Sequence, residues 1–158
     1  ILILNHMNIK STINTFTKEI LSLIIAFCVG IFIITYLLNL PGLITGNYNI
    51  VNEYYNKNFI TSIPADFFFV FIYFLTAGIF IKILKINSNI GKTLIVGLIT
   101  ILLTSIACYY FKSRKLTNNF FSRWFHSVGY SSVVYDLILL VFIYICFLFI
   151  KNKINTLV

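Results

Sequence analysis

Four long runs of apolar residues constrain this chain more than any other feature of its sequence. The first run, residues 20–40, contains no charged residue, and as a helix rising 1.5 Å per residue it would be about 30 Å long, the thickness of a bilayer core. Hydrophobic residues make up 59% of the chain and charged residues only 10%, which excludes the ordinary soluble class. The sequence therefore predicts an all-α membrane protein with four transmembrane helices.

The predicted spans are separated by short polar connections. Pro41 and Gly42 are expected to end the first helix, and residues 43–62 then form a near-neutral loop. Pro64 is expected to open the second helix, because proline is tolerated in the first helical turn. The turn from Lys82 to Lys92 is short, which makes the second and third helices antiparallel neighbours. The four predicted spans are residues 20–40, 63–81, 93–111 and 133–150.

Tyrosines in the first loop are predicted to lie in an interfacial belt, where aromatic rings meet lipid head groups. The residues are Tyr48, Tyr54 and Tyr55. This loop carries Glu53 and Lys57, which balance each other, so it could cross a membrane easily during insertion.

Residues 1–19 form a polar leader ahead of the first span. The first methionine is Met7, so translation starting there would leave residues 1–6 outside the protein. The apolar run that follows is too long for a removable signal peptide and lacks a small-residue cleavage site. We expect a retained signal anchor, with residues 20–158 as a single four-helix transmembrane domain.

Small residues recur on one face of the third predicted span. Gly97, Thr100, Thr104 and Ala107 follow one another at helical spacing, and such faces let membrane helices approach closely. The alternative is a polar pore lining, but hydroxyls that bond their own backbone are common in membrane helices. We therefore expect a packing face.

The positive charges favour one orientation in the membrane. In a four-span chain the leader, the Lys82 to Lys92 turn and the tail share one side, and together they carry more net positive charge than the opposite side. The connection from Lys112 to Arg123 is itself basic and opposes this preference. The positive-inside rule favours both termini on the inner side of the membrane.

Residues 118–128 predict an amphipathic helix in the membrane interface between the third and fourth spans. Its aromatic rings would lie at the head-group boundary, with Arg123 and His126 in the phosphate layer, and Gly129 would turn the chain into the fourth span. The surface would act as an aromatic anchor or as a docking site for anionic lipid head groups or a soluble partner. The apolar face comprises Phe120, Phe121, Trp124, Phe125 and Val128, and the polar face Asn119, Ser122, Arg123, His126 and Ser127.

Two acidic residues, Asp66 and Asp136, lie near the starts of the second and fourth spans. An intramembrane carboxylate is costly and often functional, so the two could share protons or bind a cation. A structural role is the alternative, because the dipole at a helix N-terminus stabilises negative charge. We predict that Asp136 pairs with Arg123.

The sequence offers no anchor for catalysis, a cofactor or a metal ion. His126 has only His6 as a second histidine, which is too few for a metal site. Cys28, Cys108 and Cys146 each fall inside an apolar run and are interpreted as small buried hydrophobic residues. The 12 Lys and Arg against 4 Asp and Glu flank apolar runs rather than forming a basic stripe, so we expect a non-enzymatic protein that contacts lipid and not nucleic acid.

Two segments resemble a known group of proteins. PADFFFVFIYFL and FFSRWFHSVGYSSVVYDLILLVFIYI resemble parts of small four-span integral membrane proteins of nucleocytoplasmic large DNA viruses. The resemblance implies a place in the virion inner membrane, or in a host membrane destined to become it, with other membrane or capsid proteins as partners. It implies no catalytic residues. The residues that carry it are Pro64, Asp66, Arg123, Trp124, Phe125, Gly129, Tyr135 and Asp136.

Three functions follow from these observations. The first is a structural or interaction component of a viral membrane. The second is an accessory subunit of a respiratory complex in the mitochondrial inner membrane, since the composition is typical of an AT-rich genome. The third is a small oligomeric transporter or ion-conducting protein that uses Asp66 and Asp136.

Overall fold

The computed structural model describes the backbone of residues 2–156 and the side chains of residues 15–156. Throughout this part of the chain the regular elements are helices, which confirms the predicted all-α class. Seven α-helices are present in the described backbone, and π-helical turns continue α1 over Ile31–Leu37 and α3 over Glu53–Lys57. The helices are α1 (Leu2–Gly30), α2 (Leu40–Thr45), α3 (Tyr48–Asn52), α4 (Phe59–Ile83), α5 (Asn89–Lys112), α6 (Phe120–Val128) and α7 (Ser131–Thr156).

Four of the helices in the described residues are long and apolar enough to span a membrane, as predicted. They are Thr15–Leu37, Phe59–Ile83, Asn89–Lys112 and Ser131–Thr156. A helix satisfies its backbone hydrogen bonds internally, which is what a chain in hydrocarbon requires. The backbone of the leader is helical and continues into the first span as part of α1. Met7, the expected start of translation, lies outside the residues whose side chains are described.

The first spanning helix does not end at Pro41 and Gly42 as predicted. It ends at Leu37, and Asn39 adopts a left-handed conformation with φ of 46° before α2 begins. Pro41 lies in the first turn of α2, where its missing N–H needs no partner. The proline therefore starts a helix instead of ending one.

The predicted loop over residues 43–62 is folded into α2, α3, a π-helical turn and the start of α4. Gly46, with φ of 66°, ends α2, and the side chain of Asn47 caps α3 by accepting from the Ile50 N–H at 3.3 Å. Tyr54 and Tyr55 are each 4% exposed, so the prediction that they face head groups is wrong. Ile50, Val51, Tyr54 and Tyr55 recur at helical spacing and bury one face of this segment.

Helix α4 begins at Phe59, so Pro64 lies inside it and does not open it as predicted. The early start is held by Ser62, whose hydroxyl donates to the Tyr54 carbonyl at 2.8 Å. Asp66 consequently lies about two turns inside the helix, and Asp136 more than one turn inside α7. Because the helix dipole acts within the first turn, it does not account for either carboxyl at its position.

Helix α7 is the centre of the bundle, with α1 and α5 packed along it and α4 packed on α5. The predicted packing face on α5 is confirmed: Thr100 and Thr104 are fully buried, and a Cβ on Gly97 would lie 3.3 Å from Leu137 Cδ1 on α7. Large hydrophobic side chains point outward from all four long helices, among them Phe32, Phe68, Leu98 and Phe149. An outward surface of this kind suits lipid.

Candidate functional site

Asp66 and Asp136 line one cavity of about 160 Å³. It lies among α4, α5, α6, α7 and the π-helical turn that follows α3. Aromatic rings form most of its wall, including Tyr73, Phe121 and Trp124. The two carboxyls, which are 70 positions apart in the sequence, therefore share one largely apolar chamber.

Tyr54 holds one oxygen of Asp66. Its hydroxyl donates to Asp66 Oδ1, whereas Asp66 Oδ2 is buried and has no hydrogen-bond partner in the described part of the chain. Burial raises the pKa of the Tyr54 phenol well above its usual value, and the nearby Asp66 carboxyl raises that pKa further. Tyr54 thus stays protonated and remains a donor, and Asp66 keeps one oxygen without a partner.

Thr104 holds Asp136. The Thr104 hydroxyl donates to Asp136 Oδ2 at 2.9 Å, and its oxygen lies 3.0 Å from the Tyr73 hydroxyl. A threonine hydroxyl has one proton, so Tyr73 donates to Thr104 when Thr104 donates to Asp136. This chain of hydrogen bonds joins α4, α5 and α7 beside the cavity.

Tyr135 forms a second network directly beside the first. Its hydroxyl lies 2.9 Å from Thr35 Oγ1 and 2.8 Å from the Tyr55 hydroxyl. Burial raises the pKa of Tyr55 well above its usual value, with Tyr135 and Asp66 as further causes, so this phenol also stays protonated. Tyr135, on α7, thus connects the end of the first span to the π-helical turn that follows α3.

The predicted pair between Arg123 and Asp136 is wrong. Arg123 Nε donates to Glu53 Oε1 at 2.9 Å, Nη2 bonds the same oxygen, and Nη1 bonds the Asn118 carbonyl. Glu53 is the first residue of the π-helical turn after α3, and it contacts the polar face of α6. Asp136 instead lines the cavity, which lies under the apolar face of α6. Arg123 and Glu53 tie α6 to the segment after α3.

Helix α6 covers the cavity, and its apolar face is turned toward the protein. Trp124 is 5% exposed, and its ring lies 4.5 Å from that of Tyr54 and 6.5 Å from that of Tyr135. Phe125 stacks on Phe111 of α5 with ring centroids 5.2 Å apart. The prediction that these rings face the head-group boundary is wrong, because their apolar area is already buried inside the chain.

His126, predicted to lie in the phosphate layer, is half-buried on α6. Its Nε2 atom is buried and has no hydrogen-bond partner within the described residues. Its neighbour Ser127 is exposed, so only part of the polar face of α6 is open to the surroundings.

The three cysteines differ in exposure. Cys108 is buried, as predicted, and Cys146 is half-buried, but Cys28 is exposed on the outer side of α1. The inward face of α1 is formed by Ala26 and Phe27, which leaves the following residue pointing away from the bundle. Among the described residues, no group of three or more His, Cys, Asp and Glu side chains could hold a metal ion.

Sequence reasoning did not assign several polar residues to this region, because most of their partners are 31 or more positions away and that of Tyr54 is 12 positions away. They are Thr35, Glu53, Tyr54, Tyr55 and Tyr73. A signal was present at Tyr54 and Tyr55, which follow Ile50 and Val51 at helical spacing. Comparison of this chain with protein-family models, with curated proteins and with solved structures finds no match.

Proposed function

We propose that this chain is a multi-pass integral membrane protein with a structural or interaction role. The proposal depends on which side chains face outward from the helix bundle and which face inward. The four long helices present large apolar side chains outward, whereas buried hydroxyls of Thr35, Ser62 and Thr104 are bonded within the chain. An apolar outer surface around internally bonded polar groups is suited to a lipid bilayer.

Membrane extraction tests the first part of this proposal. We expect the protein to stay in the membrane pellet after alkaline carbonate or high salt and to be released only by detergent. Release by carbonate alone would contradict an integral protein. A peripheral membrane protein of the same cells is the control for complete extraction.

The virion inner membrane, or the host membrane from which it forms, is the proposed location. The resemblance of the segments around Asp66 and Asp136 to membrane proteins of large DNA viruses supports it. We expect the protein to copurify with virus particles and to leave them when the particles are treated with detergent. Absence from purified particles would rule out a virion role.

A basic segment between α5 and α6 supports contact with anionic lipid head groups, the finer part of the proposal. Lys112, Arg114 and Lys115 are exposed at the end of α5, and Arg114 lies over the ring of Tyr110 at 4.1 Å. Cations in this position attract anionic lipid. We propose that α6 lies at this interface, with its buried aromatic face on the bundle and its exposed residues toward the head groups.

Transport of a cation is a second candidate function, and the cavity that Asp66 and Asp136 share favours it. Intramembrane carboxyls that face a common chamber are a usual feature of ion pathways. We expect cation flux in proteoliposomes to fall in Asp66→Asn and in Asp136→Asn. Flux that is equal in the wild type and in both variants would exclude a transport role for these residues.

A further inference from the structure

The cavity shared by Asp66 and Asp136 has the features of a ligand site. We propose that it binds a small organic cation, an alkylammonium or guanidinium group, with the two carboxyls as its anionic partners. This proposal requires neither a viral location nor transport, because it concerns equilibrium binding alone. Four features of the cavity support it, namely its charge, its aromatic lining, its size and its access to the surface.

The charge of the cavity favours a cation. None of the described residues that line it is a lysine, an arginine or a histidine, and Arg123 on the covering helix is bound to Glu53. A carboxylate in an apolar chamber is costly unless an opposite charge or hydrogen bonds compensate it. Asp66 Oδ2 is buried and has no hydrogen-bond partner among the described residues, so a bound cation would supply the missing compensation.

The wall of the cavity favours an organic cation over a metal ion. The aromatic residues Tyr54, Tyr73, Phe121 and Trp124 line the same space as the carboxyls. Ammonium and guanidinium groups bind to the faces of such rings. Calcium and magnesium instead require six or more oxygen ligands or retained waters, which two carboxyls within a mostly aromatic wall do not provide.

The size of the cavity limits the ligand. At about 160 Å³ it is close to the engineered apolar cavity of about 150 Å³ that holds benzene. A cation with about six non-hydrogen atoms therefore matches the space. Tetramethylammonium and ethylammonium are both within this limit.

The cavity also reaches the surface of the molecule. Phe69 on α4 lines it and is 41% exposed. This phenylalanine contacts Phe121 of α6, with ring centroids 5.5 Å apart. A cation could enter where α4 and α6 meet, without separation of the long helices.

The chain contains its own probe for this site. Trp124 is the only tryptophan among the 158 residues, and it lines the cavity. We would titrate the full chain in detergent micelles with tetramethylammonium, ethylammonium, sodium and potassium chlorides and record tryptophan fluorescence. Tert-butanol, a neutral molecule of similar shape to tetramethylammonium, is the control for apolar binding.

We expect a saturable fluorescence change with the organic cations and none with tert-butanol. In Asp66→Asn and Asp136→Asn the dissociation constant should rise at least about tenfold, since each variant removes a carboxyl that can ionise to balance the bound cation. Glu19→Gln is the matched control, because it removes a carboxylate that is bound to Lys151 and lies outside the cavity. Its dissociation constant should equal that of the wild type.

Three results would overturn the proposal. The first is the absence of a saturable change with both organic cations. The second is an equal response to sodium or potassium, and the third is an unchanged dissociation constant in both aspartate variants. If an aspartate variant fails to fold, thermal unfolding of the wild type decides the question: tetramethylammonium should raise the melting temperature more than tert-butanol does, and equal shifts would overturn the proposal.

Discussion

The hydroxyl of Tyr135 is shared by two other hydroxyls, Thr35 at 2.9 Å and Tyr55 at 2.8 Å. Tyr135 is 1% exposed, Thr35 4% and Tyr55 4%. Apart from Tyr135, the Thr35 hydroxyl has no hydrogen-bond partner among the described residues, and the Tyr55 hydroxyl has only the nearby Asp66 carboxyl. A buried polar group that loses its partner costs its full desolvation free energy, so Tyr135 stabilises two other side chains through one atom.

Tyr135→Phe is therefore expected to be destabilising. Loss of the hydroxyl leaves that of Thr35 buried and unpaired and removes the partner of the Tyr55 hydroxyl at 2.8 Å, which should lower the free energy of unfolding by about 1–3 kcal/mol. The measurement is reversible unfolding in mixed micelles followed by circular dichroism. Tyr144→Phe is the matched control: Tyr144 is a buried tyrosine of the same helix that makes no hydrogen bond within the described chain. Equal losses in the two variants would contradict this role of Tyr135.

Gly30 and Gly78 allow a second comparison at the scale of the residue. A Cβ on Gly30 would overlap the branched Ile143 side chain of α7, whereas a Cβ on Gly78 would meet no described atom within 4 Å. Gly30→Ala should therefore cost about 1–3 kcal/mol through overpacking. Gly78→Ala should stabilise α4 by about 0.5–1 kcal/mol, because alanine favours a helix over glycine. The same unfolding assay checks both, and a stable Gly30→Ala would show that α1 and α7 pack less closely.

Helix α6 covers the cavity, and the ion pair between Arg123 and Glu53 joins this helix to the segment after α3. Arg123 and Glu53 have side chains that are 34% and 29% exposed. Solvent screens a pair with this exposure, so its contribution is small. Burial of Trp124 and Phe125 against the bundle contributes more to the position of α6, since each ring removes a large apolar area from contact with solvent.

A double-mutant cycle distinguishes the observed ion pair from the one that the sequence predicts. We expect Arg123→Ala and Glu53→Gln to couple by about 0.2–1 kcal/mol, as partly exposed pairs do. Arg123→Ala and Asp136→Asn should show no coupling. Coupling in the second cycle and none in the first would mean that Arg123 reaches the cavity in solution.

The long helices were predictable because their apolar runs leave no other structure for a backbone in lipid. The segment over residues 43–62 was not predictable in the same way. Its many asparagines favour turns on local grounds, but Asn47 instead caps α3. The helical form of this segment depends on burial of Tyr54 and Tyr55 against α6 and α7, and tertiary packing of this kind outweighs local propensity.

At the scale of the whole molecule, two contacts show that α1 and α7 run antiparallel. Glu19 bonds Lys151 at 2.5 Å at one end, and Thr35 bonds Tyr135 at the other. The C-terminal end of α4 lies near Glu19 and Lys151, because Ile81 lines a second cavity together with these two residues. The connection from α4 to α5 therefore lies at the same end of the bundle as Glu19 and Lys151.

Cysteine labelling tests this arrangement in a membrane. In a chain with Cys28, Cys108 and Cys146 replaced by alanine, single cysteines at Asn87 and Asn152 should react with an impermeant maleimide from the same side. Cysteines at Asn56 and Lys115 should react from the opposite side only. All four positions are exposed. Labelling of Asn87 and Asn152 from different sides would contradict four spans.

The sequence by itself determined the helical class, the four spans and the packing face on α5, because each depends on composition and on periodicity within one segment. The tertiary structure alone decided which side chains meet. The partner of Arg123 is Glu53, 70 positions away, and Asp66 shares its cavity with Asp136. Such partners depend on how helices cross and on which face of α6 is buried. Periodicity places a residue on a face of its own helix, but it does not specify the helix that packs against that face.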